Sequence, residues 1–127
     1  MTQSATATIS FVGSARKIAW DGQYDSVSRR GLPVHHKAGY TIETDASCVS
    51  LDGSASTTLG SGAGARDFTT SVAGYRRCGT RAHCPEMGEV TLTTPKLALT
   101  VKFEGGPHAL VTNARDGRSI EISLTCE

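Results

Sequence analysis

The chain has 127 residues, a formal net charge of +1 and an apolar share of 38%, with Gly, Ser and Thr in place of the usual extra apolar residues. That balance excludes a global field able to steer nucleic acid or a membrane surface, so no nucleic-acid partner is expected. No stretch approaches the ~20 apolar residues of a membrane span. The single asparagine, Asn113, lies outside any Asn-x-Ser/Thr acceptor, which excludes N-glycosylation.

In chain order, Ala5 to Val12 alternates Ala7, Ile9 and Phe11 against Thr6, Thr8 and Ser10, a strand pattern ended by Gly13-Ser14. Arg16 to Trp20 can pair back as a hairpin with Ile18 and Trp20 on one face. Asp21-Gly22 and Asp52-Gly53 read as turns. Tyr24 to Arg30 is a weaker strand, and Pro33 marks an edge or a loop. Tyr40 to Asp45, Cys48 to Leu51, Ser54 to Leu59 and Ala65 to Tyr75 follow as short strands. Gly60 to Gly64 forms a loop tip.

Glu89 to Cys126 carries the clearest pattern, four strands joined by three turns. Leu97, Leu99, Val101 and Phe103 alternate with Ala98, Thr100, Lys102 and Glu104, and Ile120, Ile122, Leu124 and Cys126 with Ser119, Glu121, Ser123 and Thr125. Strict alternation gives each strand one apolar and one wet face. An apolar sheet face needs a second layer, and the first 88 residues are expected to supply it. The expectation is a single domain over 1–127, an all-β antiparallel sandwich of eight to ten short strands, immunoglobulin-like or jelly-roll-like, with a C-terminal β-meander.

Four cysteines allow three pairings. Cys78 and Cys84 enclose five residues including Gly79, a natural small ring, which leaves Cys48 to pair with Cys126. On the chain-entropy model the long bridge contributes roughly 4 to 5 kcal/mol. Bridges imply an oxidising compartment, so an extracellular, periplasmic or cell-surface location is expected, with a signal peptide removed beforehand. A metal site on Cys78, His83 and Cys84 is the weaker alternative, because the spacing is not that of a zinc knuckle. No metal or cofactor is expected.

No nucleophile elbow, phosphate loop or EF-hand spacing frames the available Ser, His and Asp residues, so no enzyme activity and no catalytic residues are expected. His35 and His36, as strand neighbours, point to opposite faces and cannot chelate together. Arg76, Arg77, Arg81 and His83 concentrate around the expected ring, where a rigid basic loop would suit a surface glycan, an anionic polymer or a protein. The leading expectation is a non-enzymatic secreted or cell-surface binding or adhesion module. The alternatives are a protease inhibitor presenting Arg81, and a structural or assembly domain with no small ligand.

Overall fold

The computed structural model describes residues 2–45, 47–79 and 84–126. Nine strands make one antiparallel sheet: β1 (Thr2–Val12), β2 (Ala15–Val27), β3 (Pro33–Thr44), β4 (Cys48–Leu59), β5 (Arg66–Cys78), β6 (Met87–Thr93), β7 (Ala98–Phe103), β8 (His108–Asn113) and β9 (Ser119–Ser123). Their spatial order is their sequence order, from β1 at one edge to β9 at the other. The sheet is open, and among the described residues each strand meets only the strands beside it. The all-β expectation and the terminal meander are therefore present. The second layer from the first 88 residues is not, because those residues extend the same sheet.

Connection length explains this outcome. Most links are tight turns of two to six residues, which place consecutive strands side by side and cannot carry the chain across to a facing sheet. Gly13, at φ +62°, opens the two-residue loop between Val12 and its partner Ala15, the geometry of a type II′ hairpin. The Gly60–Gly64 tip holds a single 3₁₀ turn at Gly62–Gly64 between β4 and β5.

Two expected turns are strand interiors instead. Asp21-Gly22 lies inside β2 and Asp52-Gly53 inside β4. In both, glycine serves close approach and not reversal. A Cβ on Gly22 would come within 2.6 Å of the Trp20 ring, and one on Gly53 within 2.6 Å of the Tyr40 ring. The aromatic rings thus lie down over glycines of the same sheet face. Pro33 is the first residue of β3, where its missing N–H is tolerated inside a sheet.

The two bridges are Cys48–Cys78 and Cys84–Cys126, which corrects the expected pairing. Cys48 stands directly opposite Cys78 in the β4–β5 register, so the sheet itself presents these two sulfurs to each other. The small Cys78–Cys84 ring does not exist. Cys84–Cys126 instead joins the segments flanking β6 to β9, closing the meander into a covalent loop. Ala109, in the strand row at that end, is only 1% exposed.

Candidate interaction surface

The register sorts the side chains into two unlike faces. One row runs Ile9, Ile18, Ile42, Leu51, Tyr75 across β1 to β5, and another runs Val72, Val90, Val101, Val111, Ile120 from β5 to β9. Trp20, Tyr40, Phe68, Leu92, Leu99, Phe103 and Ile122 share the same face. Most of the expected sandwich core is thus gathered on a single side of a single layer. Leu110 is an exception, pairing with Lys102 and Glu121 on the other face.

A bulge keeps this face continuous. Between Val72 and Tyr75, β5 carries one residue more than either neighbour, with Gly74 at φ +63°. The Gly74 N–H donates to the Asp52 carboxylate at 2.6 Å, fixing the extra residue as glycine bulges require. The bulge shifts the alternation by one, so Tyr75 joins Val72 on the apolar face and meets Phe103 edge-on at 5.8 Å. Simple period-two counting from Phe68 places Gly74 and Arg76 there instead.

The opposite face is polar: Thr6, Thr8, Lys17, Asp21, His35, Lys37, Glu43, Ser54, Ser56, Thr69 and Ser71 alternate with the apolar set. His35 and His36 separate as expected. His35 Nδ1 lies 2.6 Å from Asp25 Oδ1 on the polar side, while His36 stacks on Tyr24 at 4.8 Å and reaches Thr57 Oγ1 at 2.8 Å. His108 begins β8 opposite Ser123.

The expected arginine cluster divides between the faces. Arg76 pairs across from Ser50 on the polar side, 4.0 Å from Asp45 and 3.8 Å from Glu86. Arg77 sits opposite Val49 on the apolar side. Arg81 and His83 lie outside the described residues. With no Cys78–Cys84 ring, the rigid frame that would have presented Arg81 is gone. Among the described residues no group of His, Cys, Asp and Glu could hold a metal ion, and no helix is long and apolar enough to cross a membrane.

Coverage is what the apolar face lacks. Among the described residues, only Ala38, Cys48 and Ala109 are buried apolar residues. The chain exposes 8625 Å², whereas a compact monomer of 13.3 kDa exposes about 6,500 Å². The excess, about 2,100 Å², is on the scale of one uncovered sheet face. The only charged residues on that face within the paired strands are Arg16, Arg66 and Arg77, all near strand ends. Its centre, around Trp20, Tyr40, Ile42, Leu51 and Val72, is a shallow uncharged depression. The alternation locates these apolar residues but does not say that they share one layer; the signal for that is the shortness of most links. No protein-family model, curated protein or solved structure matches the chain.

Proposed function

We propose that the protein is a structural assembly subunit, and that its apolar sheet face is covered by the same face of a second copy. The sandwich expected from the sequence is then completed between chains and not within one. The observation that carries this reading is the continuous apolar face, with about 2,100 Å² of surface beyond a compact monomer. If each copy covers that excess, roughly 4,000 Å² is buried in total, inside the range of obligate homodimers. Monomeric soluble proteins rarely leave contiguous apolar patches larger than a few hundred Å² bare. An isologous contact needs a self-complementary patch, and an uncharged centre of aromatic and branched side chains meets that need.

A small-ligand role has less support, because the polar face carries charges of both signs and the loop expected to bind anions has lost its ring. Two bridges support a location outside the cytoplasm. Light scattering during size exclusion tests the reading. Native protein should elute at twice the chain mass or a multiple of it. Ile42→Asp, which places a carboxylate at the centre of the contact, should weaken self-association about a hundredfold or more. A folded wild-type monomer at tens of micromolar overturns the proposal, whether or not lipid vesicles or another protein bind the face.

A further inference from the structure

The free edge of the sheet, β1, is a second unpaired surface, independent of the apolar face. β1 is eleven residues long, exposed throughout, and contains no charge, proline or glycine. An edge strand without these features is a template for pairing with another strand. The hairpin also fixes which backbone groups are unpaired. In a two-residue loop the flanking pair, here Val12 and Ala15, exchanges both hydrogen bonds. Alternation then ties Thr2, Ser4, Thr6, Thr8 and Ser10 to β2. It leaves the N–H and C=O of Gln3, Ala5, Ala7, Ile9 and Phe11 directed to the free edge.

We infer that two copies join edge to edge through antiparallel β1 strands, with Ala7 opposite Ala7 on the two-fold axis. Several even-sum registers set outward-facing residues opposite one another. This is the one that also pairs all eleven residues. It sets Ala5 against Ile9 and Gln3 against Phe11, and forms about ten hydrogen bonds, two for each outward pair. It continues both faces across the joint. Ile9, 60% exposed, gains Ala5 of the other copy as its opposite neighbour, Phe11, 72% exposed, packs across Gln3 with Ala5 on the diagonal, and Thr6 of one copy lies opposite Thr8 of the other on the polar side.

β9 is a poorer partner for this edge, being five residues long and carrying Glu121. Heterologous β1–β9 pairing would leave half of β1 open. An eleven-residue edge is about 37 Å long, so the contact is smaller than the face contact and links preassembled units. A face-paired dimer carries two β1 edges, and edge pairing builds higher species from it.

Two double variants test both the contact and its register. Thr6→Lys with Thr8→Lys opposes lysine to lysine in each pair of copies, whereas Thr6→Lys with Thr8→Glu opposes lysine to glutamate. All four side chains are on the exposed polar side, so the fold is retained. Amide exchange read by NMR at high concentration should show Ala5, Ala7 and Ile9 protected in wild type, exposed in Lys/Lys, and protected again in Lys/Glu. In sedimentation, the Lys/Lys variant should stop at the face-paired dimer. Rapid exchange of those three amides in wild type, or equal assembly of both variants, overturns the inference. Ile42→Asp in the same background separates the contacts: edge protection that survives it leaves this inference standing when the face contact fails.

Discussion

The two faces of this sheet share one backbone and one set of hydrogen bonds, yet only one can stand in water unaided. The polar face, from Thr6 across Lys37 and Ser54 to Thr91 and Glu121, keeps its side chains solvated as folding proceeds. The apolar face, from Ile9 across Trp20 and Leu51 to Val101 and Ile120, withdraws little surface from water within the chain, since among the described residues only Ala38, Cys48 and Ala109 are buried. Hydrogen-bond ladders contribute modest net stability because water competes for the same groups. A single layer therefore orders its strands against backbone entropy with an unusually small apolar contribution. The contrast teaches that alternation specifies a sheet, whereas the connections decide where its second layer comes from.

The sharpest way to break the contrast is to place one charge on each face in turn. Leu51→Asp should weaken self-association by about 3 kcal/mol or more, since the carboxylate would be buried without a partner. Ser54→Asp, nearby on the polar face, should change stability by about 0.5 kcal/mol or less. Sedimentation and chemical denaturation of the pair read both numbers. Equal effects would mean that the faces do not differ in burial.

The bridges come next, because a layer without a core depends on them. Replacing Cys84 and Cys126 by Ser should cost about 4 kcal/mol on the chain-entropy model, and removing Cys48–Cys78 slightly less, for loop separations of 42 and 30 residues. Exchange should rise first in β6 to β9 for the former and around β4 and β5 for the latter. Gly53→Val should follow, at about 1 to 3 kcal/mol. Its φ of +152° and a Gly39 carbonyl 2.2 Å from the added Cβ leave no room, and the Tyr40 ring would be lifted off the apolar face.

The smallest effect belongs to acid. The Ser47 and Cys48 N–H groups donate to the Asp45 carboxylate at 3.2 and 2.9 Å and, with Arg76 adding less, hold its pKa below the usual value. A lowered folded-state pKa adds stability above the unfolded value near 3.8, lost as pH falls through the folded pKa. Asp45→Asn should therefore flatten the stability profile below about pH 4 and remove the carboxylate's contribution at neutrality. Denaturation across that range checks it.

Much of this was legible in the residues. Alternation marks most of β1, the start of β2, β7 and β9, and it places Ile18, Trp20, Val101 and Ile120 on apolar faces. What escaped was tertiary. Asp21-Gly22 carries the local signal of a turn, and only the Trp20 ring above it explains the glycine within a strand. The bulge at Gly74 shifts Tyr75 and Arg77 to the apolar side, and no period-two count anticipates one extra residue. Nearness in sequence favours Cys78 with Cys84, whereas the β4–β5 register brings Cys48 to Cys78 across 30 residues. Arg76 and Arg77 read as one patch, yet as strand neighbours they point to opposite faces, and the bulge decides that Arg77 takes the apolar one.

Trp20 is the only tryptophan and lies at the centre of the apolar face, 36% exposed in the single chain. Acrylamide quenching of its fluorescence in native protein at micromolar concentration therefore tests coverage of that face most directly. A covered face predicts blue-shifted emission and weak quenching, with strong quenching appearing on dilution or in folded Ile42→Asp. Strong quenching of folded wild-type protein at every concentration would contradict the account.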